Sequence, residues 1–209
     1  MVGHGPGGWG EEATIQAYPN RLPRAPAAAN VRAVPVPPSL LVHRVRPDEA
    51  ATYARVAQET FVDTYGASSD PAELARHCAL NFGEALQRAE LEAPEAAVYA
   101  CTEASGAWLG FIALAPDPAP DCVAASRPLH LQRIYVMHAA HGRGIGRHLV
   151  EAAVAHARAV GADALWLKVW EENHGAHRFY ERTGWTHVGT APFRFGDHWE
   201  DDRVMFRRV

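Results

Sequence analysis

The sequence predicts one α/β domain over residues 40–209, a mixed sheet with helices on both faces. Three observations carry this. From Leu40 onward, strand-like and helix-like segments interleave instead of falling into separate blocks. A chain of 209 residues, 48% of them apolar, is long enough for one well-buried core, and about one domain is expected. Between a strand-like run and a helix-like run, "HAAHGRGIGRHLV" at 138–150 sets three glycines at every second position.

Residues 1–39 stand apart from that domain. "GHGPGGWG", "PRAPAAAN" and "VPVPPS" are rich in Gly, Pro and Ala and show no periodicity. Such a segment buries too little to offset its ordering entropy, so a mobile or loosely docked arm is expected, with Trp9 and Tyr18 free to dock on the body or a partner.

The body is justified element by element. "LLVHRV" alternates as a strand, and Pro47-Asp48 opens a helix through Tyr65, ending at Gly66. "SSDPAEL" supplies cap residues and a first-turn proline for a second helix reaching about Glu92. "AAVYACTE" and "AWLGFIALA" read as strands joined by a turn at Ser105-Gly106, and "PDPAPD" is a loop. "LHLQRIYVM" is a strand, the glycine stretch opens a helix to about Val160, and "DALWLKVW" is a further strand. "NHGAHRFYERTG" is a short helix, followed by strands around "THVGT" and "VMFRR".

Composition excludes several functions. A net charge of -4 gives no general pull toward nucleic acid or an anionic membrane. No apolar run approaches the roughly 20 residues of a spanning helix, and "MVGHGPGGWG" lacks a secretory pattern, so a cytoplasmic location is expected. Cys78, Cys101 and Cys122 form no C-x-x-C pair and fit reduced, mostly buried thiols. The twelve histidines form neither H-E-x-x-H nor a Cys/His ligand set, so no metal is expected.

After Gly144 the apolar residues Ile145, Leu149, Ala152, Ala153, Ala157 and Val160 trace one helical face. The glycines therefore sit at a helix N-terminus, where unpaired amides and about half a positive charge attract anions. Without a Cβ, glycine lets a phosphate approach the backbone, and Arg143 and Arg147 add positive charge. A phosphate cradle is one reading; a tight strand-to-helix turn with no ligand is the other. A P-loop is excluded because Arg147-His148 follows Gly146. The spacing also differs from G-x-G-x-x-G, although Glu171 after the next strand could imitate a ribose-binding acid.

"HGRGIG" is similar to the Q/R-x-x-G-x-G/A signature of GNAT-type N-acetyltransferases. The succeeding "NHGAHRFYERTGW" matches every fixed position of that family's N-x-x-A-x-x-F-Y-x-x-x-G-[FW] pattern, in the family's order. "ETFVDTYG", "RIYV" and "LWLKVWE" further resemble the polyamine N-acetyltransferase branch. The resemblance covers about residues 40–209. It implies a twisted, mostly antiparallel sheet of about seven strands, and acetyl-CoA as cosubstrate. The acceptor it implies is a small-molecule amine, polyamine-like or amino-acid-like; acetylation of protein N-termini or a non-catalytic acyl-CoA-binding module is the alternative. A homodimer stays open.

By the same resemblance, His141, Gly142, Arg143, Gly144, Ile145, Gly146, Arg147 and His148 would bind the pyrophosphate. Ile134, Tyr135 and Val136 would hold the pantetheine arm, and Tyr180 would be the acid that protonates the departing thiolate. A strand tyrosine is more often core, so Tyr135 reads as core as well as channel lining, and Asn173 reads as a helix N-cap or a cofactor contact. His141 departs from the usual Gln or Arg of the signature.

The amine raises a separate difficulty. At an ordinary pKa near 10.4 only about one amine in 2,500 is neutral at pH 7, a deficit of some 4.6 kcal/mol. Many relatives carry an acid on the fourth strand as base, and here Gln132 stands at that position. Glu171, Glu172, Glu59, Asp63 and His138 are candidate replacements, and a substrate amine with an already depressed pKa is the alternative. Glu59, Thr60, Asp63, Thr64 and Tyr65, with Asp197, Glu200, Asp201 and Asp202 of "GDHWEDD", are candidates for attracting a cationic acceptor.

Overall fold

The computed structural model describes residues 40–66, 70–195 and 198–209, so the predicted arm with Trp9 and Tyr18, and Asp197 of the late acidic run, lie outside the described residues. Seven strands form one sheet: β1 (Leu40–Arg44), β2 (Ala97–Glu103), β3 (Trp108–Ala115), β4 (Pro128–Val136), β5 (Ala164–Val169), β6 (Thr186–Phe195) and β7 (His198–Arg208). Their spatial order is β1-β2-β3-β4-β5-β7-β6, and only β4 and β5 run parallel. The mixed, mostly antiparallel sheet expected from the sequence is what the chain forms.

Two layers of helix cover it. α4 (Ile145–Ala159) buries Leu149, Val150, Ala153, Val154 and Ala157 against Leu129, Leu131, Leu165, Leu167 and Met205, with Tyr180 of α5 (His174–Arg182) and Trp185 in the same core. On the opposite face α1 (Ala50–Tyr65) and α2 (Pro71–Asn81) pack Tyr53, Val56, Ala57, Cys78 and Phe82 on Val98, Ala100, Phe111 and Ala113. Beyond β4 that same face carries Trp166 and Val204, covered by Val123 of the β3–β4 loop.

Four elements depart from expectation. The predicted second helix is two helices, α2 and α3 (Glu84–Glu92). The break follows from local bonds: Asn81 turns its side-chain amide back to the His77 carbonyl (2.9 Å), and extended Gly83 begins the next helix. Phe82 turns inward against Phe61, ring centroids 5.3 Å apart. The last two strands are roughly twice their predicted length, since hairpin pairing carries them beyond their apolar cores. Pro47–Glu49 is a separate 3-10 turn ahead of α1.

Asp70 accepts from the Ala72 amide (2.9 Å) and Pro71 opens α2, as the cap residues predict. Cys78 and Cys101 are buried and burial pushes both thiols up, which keeps them inert; Cys122 is half-buried, and all three are free. Among the described residues no helix is long and apolar enough to cross a membrane, and no cluster of three metal-ligating side chains occurs.

Under α1 and α3 lies a buried charged network. Tyr53 donates to Glu90 (3.1 Å), and Arg133 of β4 donates both to the Tyr53 hydroxyl (3.1 Å) and to Glu90. Burial together with the Glu90 charge holds the Tyr53 phenol far above its ordinary range. Across the sheet His156 of α4 meets the Tyr99 hydroxyl at 3.2 Å, and burial, aided by Arg44, pushes the imidazole down to about 4.

Two predictions follow from these buried groups. Glu90→Gln strands the Arg133 charge and should cost about 3–5 kcal/mol in denaturant unfolding, whereas Glu90→Leu with Arg133→Met should recover most of that loss. His156 binds a proton more readily unfolded (near 6.5) than folded (about 4), so its contribution is complete above about pH 6.5 and fades as pH falls toward 4. Tm should therefore drop more between pH 7 and pH 5 in the wild type than in His156→Gln.

Candidate active site

The site begins where the sheet opens. β4 and β5 pair only through Pro128–Ala164, Leu129–Leu165 and His130–Trp166, although β4 continues to Val136 and β5 to Val169. The divergence starts beside a bulge in β4: Leu131 and Arg133 oppose the consecutive β3 residues Leu114 and Ala113, leaving Gln132 unpaired. A bulge bends its strand and re-aims side chains. Leu131 stays in the α4-side core, while Arg133 already faces the α1 side.

The register tells which backbone groups line the opening. The Met137 amide donates to the Leu109 carbonyl (2.9 Å), which makes that opposed couple a hydrogen-bonded pair. Antiparallel pairs alternate, so Tyr135 bonds Phe111 of β3 while Ile134 and Val136 turn their N–H and C=O groups toward the gap. Tyr135 packs its ring on Phe111 (5.7 Å) in the α1-side core. Of the three strand residues predicted to hold a pantetheine arm, the register therefore turns Ile134 and Val136, not Tyr135, toward the gap. His141 Nε2 lies 3.0 Å from the Val136 carbonyl and so donates to it, fixing the glycine loop to the end of the strand.

At the far end of the gap the loop ends in α4. Gly142 (φ 77°) and Gly144 (φ 79°) are left-handed, a conformation that costs an L-residue about 1–2 kcal/mol. Among the described residues no carbonyl accepts from the N–H of Gly142, Gly144, Ile145 or Gly146, while Arg147 and His148 bond back to the Gly144 carbonyl (3.1 and 3.2 Å). Four free amides in the loop and first turn of α4, three of them on residues that lack a Cβ, fit a pyrophosphate. Gly146 has a different task. A Cβ there would lie 3.1 Å from the Phe179 ring, so this glycine lets α4 and α5 approach. The Arg143 guanidinium pairs with Glu103 (2.9 Å).

On α5, Asn173 is the N-cap, its side-chain oxygen accepting from the Ala176 amide (3.0 Å). Tyr180 is buried, with Phe179 and Trp185 edge-on at 5.3 and 5.6 Å. His177 is buried as well and donates Nε2 to the Trp170 carbonyl (3.0 Å), tying α5 to the end of β5.

The proposed replacement bases scatter. Glu59 pairs with Arg55 (2.8 Å) and, with Asp63, lines a shallow depression on the outward face of α1. Thr60 and Thr64 give their hydroxyls to carbonyls of their own helix. Glu171 and Glu172 are exposed, and His138 lies against His141. Of the acidic residues that were candidates for attracting a cationic acceptor, Asp202 is buried on β7, whereas Asp201 is exposed.

Sequence reasoning missed the polar group closest to the start of the gap. Asp117 Oδ2 accepts from Gln132 Nε2 (2.8 Å) and lies 2.6 Å from His130 Nδ1. Burial alone would raise its carboxyl, but hydrogen bonds from His130 and Gln132 and the nearby Lys168 charge hold it below the usual range. The His130 ring stacks on Trp166 at 3.9 Å, only 6° from parallel. The i, i+2 spacing of His130 and Gln132 was a visible signal; Asp117 sat in a proline-rich loop that carries no periodicity.

A sheet parted between two parallel strands, with a glycine-capped helix at the open end, defines an acyl-CoA-dependent transferase. The chain belongs to the acetyltransferase (GNAT) family, whose model matches residues 57–185. It is 29% identical over 153 residues to an uncharacterised N-acetyltransferase of Lactobacillus delbrueckii subsp. lactis, covering 73% of this chain and 88% of the relative. An uncharacterised N-acetyltransferase of Mycobacterium tuberculosis is 39% identical over 83 residues, 40% of this chain and 53% of its own length. Among solved structures, PaiA N-acetyltransferase of Thermoplasma acidophilum in complex with coenzyme A has a TM-score of 0.65 at 16% identity, over 82% of this chain and 99% of that one. A GCN5-related N-acetyltransferase from Kribbella flavida gives a TM-score of 0.57 at 22% identity, over 82% and 98%. Acetyl-CoA is the cosubstrate.

Substitutions at the two glycines should separate their tasks. Gly144→Ala forces a strained left-handed alanine and should weaken coenzyme A about tenfold in a calorimetric titration. Gly146→Ala overpacks against Phe179, so its main effect should be a Tm loss equivalent to about 1–3 kcal/mol.

Proposed function

We propose that this N-acetyltransferase passes the acetyl group of acetyl-CoA directly to the primary amine of a small molecule, polyamine-like or amino-acid-like, with Tyr180 as general acid. The observation that carries the reading is the β4–β5 gap, which runs from the free amides at Gly144 to a polar group around Gln132. A thioester laid along β4 would place its diphosphate on those amides and its acyl end beside the bulge. The likeness to a structure solved with coenzyme A supports that placement.

The chemistry then asks three things of the chain. Ile134 and Val136 align the arm by strand-like hydrogen bonds, which fixes the carbonyl for attack and turns a bimolecular encounter into an oriented one. The amine must arrive neutral. The leaving sulfur needs a proton, and a phenol near pKa 10 gives it uphill by roughly 2 kcal/mol, offset by a hydrogen bond that strengthens as charge develops. The cysteines give no reason for an acetyl-enzyme: Cys78 and Cys101 are buried thiols with raised pKa values.

The acceptor is found by measuring thiol release from acetyl-CoA with spermidine, putrescine, free lysine and a short peptide in parallel. Release with the first three and not with the peptide supports the reading; release with the peptide alone overturns it. In the same assay Tyr180→Phe should lower kcat by about 100-fold or more while the KM for acetyl-CoA stays within about twofold. Unchanged turnover removes Tyr180 from the reaction.

A further inference from the structure

We infer that His130, oriented by Asp117, is the general base that removes a proton from the acceptor's ammonium group, filling the role that Gln132 cannot. The inference deepens the acceptor reading above and rests on it.

The geometry around the imidazole carries the argument. Asp117 is ionised, so the 2.6 Å contact to His130 Nδ1 requires a proton on Nδ1, which in the neutral ring makes Nε2 the acceptor nitrogen. Stacking on Trp166 at 3.9 Å and 6° holds the ring plane, and the Asp117 bond selects its orientation within that plane. Nε2 has no partner among the described residues, nor is it among the sealed polar atoms. A carboxylate, an imidazole in a fixed tautomer and a free Nε2 are the orienting and accepting parts of a base.

Position agrees with that role. His130–Trp166 is the last β4–β5 pair, and the gap opens immediately beyond it. From Val136, beside the glycine loop, to His130 is six residues of strand, roughly 20 Å, comparable with an extended pantetheine arm. Gln132 is not idle here: its amide donates to the same Asp117 oxygen and pins the carboxylate. Among the described residues this face also carries Lys168 of β5, which acts on Asp117, Asp202, two residues along β7 from the Val204 that pairs with Lys168, Arg208, whose guanidinium lies over Phe206, and the Arg133–Glu90 pair.

The step balances as follows. The ammonium R–NH3+ gives one proton to His130 Nε2 and becomes R–NH2. Its nitrogen forms the C–N bond to the thioester carbonyl carbon, and the C–S bond breaks. A second nitrogen proton balances the one delivered to sulfur, giving amide and free thiol, and imidazolium returns its proton to water.

The test uses the full chain, acetyl-CoA and spermidine, with methylamine at high concentration as an acceptor that needs little recognition. His130→Gln should lower kcat at pH 7 by about 100-fold or more, with the Kd for coenzyme A within about twofold. Its activity should recover as pH rises toward the amine's own pKa, because the acceptor then arrives neutral. Asp117→Asn should lose about tenfold in kcat with the KM for acetyl-CoA unchanged. His130→Ala should regain turnover on addition of imidazole. His130→Gln turnover within threefold of wild type, with a superimposable pH profile, overturns the assignment. If His130→Gln fails to bind coenzyme A, His130→Ala decides: imidazole rescue supports the base and no rescue overturns it. Wild-type protein that releases no thiol with either amine overturns the acceptor reading itself, and the base with it.

Discussion

A sheet parted down its middle sets the central constraint of this protein. Backbone N–H and C=O groups inside a domain are almost always paired, because leaving one buried and unmet costs about 1–3 kcal/mol. Here Ile134 and Val136 turn such groups into the gap between β4 and β5, and among the described residues the Val136 carbonyl is met by His141. Three features hold the gap open. The bulge at Gln132 bends β4 away, β7 pairs the full length of β5 on its other edge, and the His130–Trp166 stack closes the narrow end. The unmet backbone then favours any extended chain that can act as a missing strand.

The two faces of the sheet meet that constraint differently. The α4 side is apolar and tightly buried, and it fixes where the helix N-terminus stands relative to the strands. The α1 side carries the polar residues of β4: Arg133 is locked into Tyr53 and Glu90, and Gln132 and His130 into Asp117. Successive side chains of one strand are thus divided between holding α1 and α3 in place and shaping the narrow end of the gap. The bulge makes this possible, since without it Arg133 would follow Leu129 and Leu131 into the α4-side core.

Much of this was legible before any coordinates. The i, i+3, i+4 pattern after Gly144 gave α4 almost to the residue, and the alternation in "LHLQRIYV" gave β4. Motif order put the glycines at the start of α4 and Tyr180 on the short helix α5, where the structure has them. The gap itself was not legible, because it depends on where β4 and β5 stop pairing, a long-range register that neither strand encodes alone. The His130–Asp117 contact was missed for a related reason: a loop aspartate meets its partner only after the sheet has formed. The separation of α2 from α3 was missed because Asn81-Phe82-Gly83 breaks the helix through side-chain bonds and an inward-turned ring, within an otherwise helical composition.

The Gly146–Phe179 contact makes the first turn of α4 and the middle of α5 one mechanical unit. Whatever rests on the free amides presses, through that aromatic ring, on the helix that carries the neighbouring tyrosine. Transplanting either motif alone into another scaffold would break this coupling, because the space at 146 and the bulk at 179 are complementary halves of a single joint. A designer who wished to vary one would have to vary both, trading volume across the joint.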